Sequence, residues 1–378
     1  MSNHLAFCEA ALPWAVETLE ALVRLESPTG DKAAVDACGR EVARLLSQFG
    51  GRVRAVPRET AGDHLLAEFG SGARQVLVLG HIDTVWPVGE LERRPLWREG
   101  DLLFGPGVFD MKAGIVLAML AVRALQDSAS GLPGRVMLLL TSDEETGSAT
   151  SRSIIENEAR RSDAVLVLEP PLPGGALKTA RKGCGEFHLR VTGKPAHAGI
   201  EPERGVSAIR ELVRQIVAIE SLQDPASGTT LSVGIVRGGT RANVIPAEAE
   251  AIIDVRAATA DDADRVTRAM QALRPQIRGA TISVTGGIDR PPFQRTPAVE
   301  ALFRQALEVA ASLGRTLGEG ATGGGSDGNL TAALNVPTID GLGAMGAGAH
   351  GFDEYVDVPE LPWRAALIAG LIDQILAR

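Results

Sequence analysis

Three continuously apolar runs mark the first half of the chain: 74–80 (RQVLVLG), 135–141 (RVMLLLT) and 164–168 (AVLVL). Unbroken rather than alternating apolarity suits strands covered on both faces, as in a parallel sheet. Between the first two, 112–126 (KAGIVLAMLAVRALQ) is apolar over much of a helical surface, which predicts a buried helix. Two further helical patterns, at about 13–25 and 32–49, precede them. This alternation predicts an α/β fold on an open, mostly parallel twisted sheet.

After Pro170 to Pro173 and Gly174–Gly175 the texture changes. Residues 185–193 (GEFHLRVTG) and 247–257 (AEAEAIIDVRA) alternate apolar and polar positions, the pattern of a half-exposed antiparallel sheet. Helical patterns near 204–221 and 261–275 fall between such strands. The expectation is a two-layer α+β domain over 183–288, inserted into a discontinuous first domain of 1–182 and 289–378. From Pro291 the chain returns to helices, a short strand at 336–340 (VPTID) and a helix from about 360.

With 378 residues the chain is long enough for two domains, and its 45% hydrophobic and 22% charged residues are ordinary for a globular protein. A net charge of −9 without any Lys/Arg run argues against nucleic acid. Cys8, Cys38 and Cys184 cannot all pair and form no CxxC, so they read as reduced thiols. The first residues lack a basic segment, Glu17 and Glu20 interrupt their apolar character, and no apolar stretch reaches ~18 residues. The expectation is a cytoplasmic protein with no membrane association.

Metal-ligand residue types recur at the ends of these elements. They are His81 and Asp83 in LGHIDTVWP, Asp110 in GPGVFDMKAG, Glu144 and Glu145 in TSDEETGS, Glu169 in VLVLEPP, and His350 in GAGAHGFDE. An open α/β sheet gathers the carboxyl ends of its strands along one crevice, where these residues can converge. Two histidines with three or four carboxylates, one of them bridging, are what a pair of divalent ions needs. Residues i and i+2 of an extended chain share a side, so Asp83 is placed to hold the second ring nitrogen of His81. Asp110, at a Gly-rich turn, can present one oxygen to each ion, although an Asp before a helix is also a common N-cap. Adjacent Glu144 and Glu145 face opposite ways on an extended chain. One can be a ligand while the other takes a proton from water.

Taken together, GHIDTV, GPGVFDMKAG, DEETGS, GKPAHAGIEPERGVSAI, NVIPAEAEAIIDVR, GGIDRPP, GGGSDGN and AHGFDEYV resemble the carboxypeptidase G / aminoacylase family of co-catalytic zinc peptidases. That family includes glutamate carboxypeptidases and deacylases of N-acyl amino acids. The resemblance implies one metal held by His81, Asp110 and Glu169 and a second by Asp110, Glu145 and His350, with Asp110 bridging. Two Zn²⁺ are expected, with Co²⁺ or Mn²⁺ suiting the same donors. It further implies Glu144 as general base, Asp83 as the residue orienting His81, and a cis Asp110–Met111 peptide. The inserted domain resembles the family's lid and dimerisation domain. There His197 matches a histidine that reaches the substrate carbonyl or developing oxyanion, Asn243 a substrate-contacting asparagine, and Arg290 the arginine that clamps a free carboxylate. Arg256 can contribute to that clamp or form a structural ion pair. His4, His64 and His188 match no functional position.

The implied activity is hydrolysis of an amide bond next to a free carboxylate, with the motifs nearest the glutamate carboxypeptidase branch. An N-acyl amino acid deacylase is the alternative. A non-catalytic binding protein on the same fold would have lost a ligand or Glu144, and neither is lost. A nucleotide-binding enzyme using the glycine loops near 323 and 341 lacks the required Lys or acidic ribose partner.

Overall fold

The run expected to be covered on both faces forms the strand Gln75–His81, all seven residues buried, near the centre of a six-stranded sheet. The computed structural model describes residues 2–128 and 131–377. The sheet runs in the order 52–56, 64–70, 135–141, 75–81, 164–167, 338–339. The last four strands are parallel, while Arg52–Val56 and His64–Gly70 form an antiparallel pair on the flank of Arg135–Thr141. From Gln75–His81 the chain passes first to the neighbour on one side and then to the neighbour on the other. The carboxyl ends of these three strands therefore flank a topological switch point, where open α/β sheets bind ligands.

The helix Ala113–Asp127 buries nearly every side chain and shares its core with the helix Leu361–Leu376 and the inner face of the sheet. On the opposite face, Ile155, Ala159 and Leu330 cover Leu77, Leu79 and Leu139. The strand at 336–340 shortens to Thr338–Ile339. Pro337 has no N–H for a ladder, although its carbonyl still accepts from the Val165 N–H at 2.8 Å.

The chain divides into two compact units. The first comprises residues up to Ala180, Arg295–Ala321 and from Ser326 onward. The second comprises Arg181–Gln294 and Thr322–Gly325. In the second unit the strands 230–238, 248–257, 183–192 and 281–290 form an antiparallel sheet in that order. The strand Gly183–Thr192 alternates buried and exposed positions, and its Phe187, Leu189 and Val191 pack with Leu212, Ile219, Val266 and Met270. Those last four lie on the helices Ala208–Glu220 and Ala260–Ala272. Each helix starts where a hydroxyl caps it, Ser207 accepting from the Arg210 N–H and Thr259 from the Asp262 N–H, a cap contributing about 1 kcal/mol. No helix among the described residues is long and apolar enough to cross a membrane.

Candidate active site

His81 is the last residue of its strand, and its ring is almost wholly buried. Nδ1 lies 2.9 Å from the Asp83 carbonyl and 3.5 Å from the Asp83 carboxylate. In the neutral ring, Nδ1 donating to that carbonyl leaves Nε2 as the acceptor side; Nε2 sits 3.2 Å from Asp110 and 3.6 Å from Glu169. Glu169 follows the strand Ala164–Val167. Its backbone carbonyl accepts from the Gly343 N–H at 2.9 Å. A Cβ on Gly343 would lie 2.5 Å from the Leu168 oxygen and 2.7 Å from that of Glu169, so only glycine permits this approach.

Asp110 lies in the turn Val108–Lys112, before the cis Asp110–Met111 peptide. It does not cap the following helix, whose N-cap residue is Lys112. Oδ1 faces His81, and Oδ2 lies 3.5 Å from Nε2 of His350. The same His350 nitrogen lies 3.3 Å from the Glu145 carboxylate. His350 adopts φ +60°, a left-handed conformation that costs a non-glycine residue about 1–2 kcal/mol.

Glu144 and Glu145 lie in a 3-10 turn rather than on extended chain. The reason is Asp83. Its fully buried carboxylate accepts from the Glu145 N–H at 3.2 Å, from the Glu144 N–H at 3.4 Å and from the Thr29 hydroxyl at 2.8 Å. Asp83 thus ties the turn carrying both glutamates to the segment carrying His81.

A further carboxylate went unassigned in the sequence. Glu354, almost wholly buried, accepts from the backbone N–H groups of Gly107, Phe109 and Asp110 and from the Trp86 indole, all at 2.8–3.0 Å. It fixes the turn that carries Asp110. Only its position four residues after His350 hinted at this. His64, read as structural, is also buried, with Nε2 3.0 Å from the Thr150 hydroxyl and Nδ1 2.9 Å from the Ser142 hydroxyl.

His81, Asp110 and Glu169 form one group of donors, and Asp110, Glu145 and His350 another, the donor atoms of each lying within 4.8 Å of one another. Metal–ligand bonds of about 2.0–2.1 Å in a tetrahedral shell place donors about 3.4 Å apart. The 3.2–3.6 Å contacts of the two imidazoles fit that spacing. Each group offers one nitrogen and two carboxylates, a donor set suited to a divalent first-row metal. Burial works against protonation of His81, but Asp110, Asp83 and the charge of Glu144 outweigh it and hold the ring well above the ordinary imidazole range. Asp110 and Glu145 push His350 up to about 10. Burial likewise opposes ionisation of Asp110, and the two histidines overcome it, keeping that carboxyl well below its usual range.

In the second unit, His197 and Asn243 are exposed on two adjacent segments. His197 pairs with Val244, and the Ala198 N–H donates to the Asn243 carbonyl at 3.0 Å. The Gly199 N–H donates to Nδ1 of His197 at 3.2 Å, so a neutral ring carries its proton on Nε2. Arg290 ends the strand Thr281–Arg290, opposite Cys184, and is only 6% exposed. Arg256 engages Asp254 through two nitrogens at 2.9 Å, the structural ion pair.

The profile of Peptidase family M20/M25/M40 matches residues 77–374. The chain belongs to this family. It is 32% identical to Carboxypeptidase G2 of Pseudomonas sp. (strain RS-16), over 95% of this chain and 89% of that protein. It is 28% identical to succinyl-diaminopimelate desuccinylase of Stenotrophomonas maltophilia (strain R551-3), over 94% of this chain and 97% of that protein. Among solved structures, aminopeptidase PepT from Bacillus cereus ATCC 10987 aligns with a TM-score of 0.80 at 23% identity, over 97% of this chain and 99% of that one. This last likeness concerns the fold. As a member of the M20/M25/M40 family the chain is a metallopeptidase-class hydrolase.

One consequence of the electrostatics is measurable without substrate. In the metal-free protein carboxylates raise the pKa of both imidazoles, that of His350 to about 10. Loading with Zn²⁺ at pH 8 is expected to release protons, seen as a buffer-dependent enthalpy in titration calorimetry. A raised folded-state pKa stabilises below the unfolded value of 6.5 and is lost as pH rises through about 10. Metal affinity should therefore climb with pH across that window as metal-free stability declines. An enthalpy independent of the buffer would contradict this account.

Proposed function

We propose that the chain is a dinuclear metal-dependent carboxypeptidase that cleaves an amide bond next to a free carboxylate, releasing C-terminal glutamate from acyl- or peptidyl-glutamates. The observation carrying this reading is the pair of donor groups that share Asp110 beside the turn holding Glu144. His81, Asp110 and Glu169 would hold one ion, and Asp110, Glu145 and His350 the other, with zinc best matching the donors. Bound there, the ions supply Lewis-acid polarisation of a carbonyl and ionise water near neutral pH.

The protein's own groups carry the remaining steps. Glu144, outside both donor groups, takes the proton of the attacking water and returns it to the leaving amine. Asp83 holds the Glu144 backbone and the His81 segment in register. The His197 Nε2–H donates to the developing oxyanion. Asn243 contacts the substrate amide, and the Arg290 guanidinium pairs with the free carboxylate.

Similarity to Carboxypeptidase G2 over nearly the whole chain supports the carboxypeptidase branch. Similarity to a desuccinylase favours the second reading, an N-acyl amino acid deacylase with the same catalytic groups. Metal-stripped protein reloaded with Zn²⁺ and assayed on N-acyl-glutamates, other N-acetylated amino acids and dipeptides separates the two. Metal-dependent release of glutamate with little other turnover is expected. Turnover of the other acyl amino acids moves the substrate, and no cleavage of any of them overturns both substrate readings. Three free cysteines fit a reducing, cytoplasmic setting.

We further propose a homodimer formed by the second unit. The helix Ala208–Glu220 buries Ala208, Leu212 and Ile219 and leaves Ile209, Val213 and Val217 exposed on one stripe, at i, i+4 and i+8. The strand Thr230–Gly238 is at the edge of its sheet and exposes Ile235 and Val236. An open edge beside an apolar stripe favours pairing with a second copy. Light scattering should give twice the chain mass, and Val213→Glu with Val217→Glu should halve it. A monomeric wild type at micromolar concentration would exclude the dimer.

A further inference from the structure

Four arginines meet at the end of the six-stranded sheet that the candidate centre does not use. Arg52 and Arg54 lie on the edge strand Arg52–Val56, Arg135 opens the strand Arg135–Thr141, and Arg161 follows the helix Arg152–Arg160. Arg52 pairs with Glu68, and Glu68 with Met137, so Arg52, Arg54, Glu68 and Arg135 share one face of the sheet. Together with Glu158 and Arg161 they line a cleft of about 160 Å³.

The charges of this cleft are only partly matched. Glu68 accepts from Arg52, and Glu158 accepts from Arg161 at 3.1 Å and from the Gln75 amide at 3.3 Å. Both carboxylates are thereby engaged. Among the described residues the guanidinium groups of Arg54 and Arg135 have no ion pair or hydrogen bond, and Nε of Arg135 is buried. A buried donor without an acceptor is costly unless a bound group supplies one. The lining residues carry two more positive than negative charges, on a chain whose net charge is −9.

We infer that Arg54 and Arg135, flanked by Arg52 and Arg161, form a binding site for a small tetrahedral dianion of the phosphate type. Two unmatched guanidinium groups balance two negative charges, and their N–H forks suit phosphate oxygens. The arginines come from two strands and the end of a helix, and a tetrahedral ion presents an oxygen to each direction. A cleft of about 160 Å³ is smaller than the roughly 300–1,000 Å³ pockets that take larger ligands, so the occupant is an ion or a short phosphoryl-bearing molecule. Arg135 and Thr141 are opposite ends of one strand, about 20 Å apart at a rise of about 3.3 Å per residue. A dianion at Arg135 therefore leaves the crevice at the carboxyl ends of the strands open to substrate.

The test titrates metal-loaded protein with inorganic phosphate by calorimetry at constant ionic strength, beside Arg54→Ala and Arg135→Gln. Wild type should bind phosphate, and each variant should weaken that binding at least about 10-fold, the loss of one hydrogen bond between charged groups. Binding that persists unchanged in both variants puts the phosphate on the metal ions or another surface and overturns the inference. So does the absence of binding to wild type at millimolar phosphate. Arg54 is exposed on an edge strand, so its replacement spares the core and decides the matter if Arg135→Gln fails to fold. Sulfate should compete with phosphate, whereas succinate binding as tightly would overturn the choice of a tetrahedral ion. Free phosphate and the phosphoryl end of a small metabolite share this chemistry. Glycerol phosphate binding more tightly than phosphate assigns the second source and weaker binding the first, and both sustain the site.

Discussion

Glu144→Gln is expected to lower kcat by about 10²–10⁴-fold, the range of a lost general acid–base group, with two metal ions still bound per chain. The amide matches the carboxylate in shape but cannot take a proton from water. Neither donor group includes Glu144, so the ions have no reason to leave. The Glu144 backbone N–H donates to Asp83 whatever the side chain, so the turn keeps its geometry. Metal analysis alongside kinetics separates the roles of the adjacent glutamates. Glu145→Gln, which alters a donor facing His350, should lose metal and rate together. Full activity in Glu144→Gln, or loss of metal from it, would remove Glu144 from the role of base.

How far the sequence revealed this arrangement depends on the range of each contact. The strands before His81 and Glu169 were legible because seven and four consecutive buried residues leave no polar alternation. The inserted sheet was legible for the opposite reason, its strict alternation. The strand Arg52–Val56 was not, since its five mostly exposed residues include two arginines and take their order from pairing with His64–Gly70. At the site, residue types at strand ends narrowed the candidates, but the turn of Glu144 and Glu145 was misjudged as extended. Its curvature comes from Asp83, some sixty positions earlier in the chain. Glu354 stayed invisible because its partners are backbone N–H groups about 245 residues away, and backbone donors leave no mark in side-chain pattern.

Asp110→Asn should have the broadest effect, because one side chain faces both donor groups. Oδ1 is 3.2 Å from His81 and Oδ2 3.5 Å from His350. An asparagine keeps one acceptor oxygen and turns an N–H₂ toward the other position, where it opposes a cation. Metal content is expected to fall from two ions per chain to one or none. Losing several kcal/mol of metal-supplied stabilisation corresponds to a drop in kcat/KM of at least about 10³-fold. The metal-free fold should survive, since Glu354 grips the backbone N–H of residue 110 and not its side chain. The electrostatics must change in step. Without this carboxylate both imidazoles lose a group that raises their pKa, so the protons released on metal loading at pH 8 should decrease. Two ions bound with unchanged affinity in Asp110→Asn would show that no ligand is shared. Loss of rate and metal together here, against loss of rate alone in Glu144→Gln, distinguishes a residue that holds the ions from one that moves the proton.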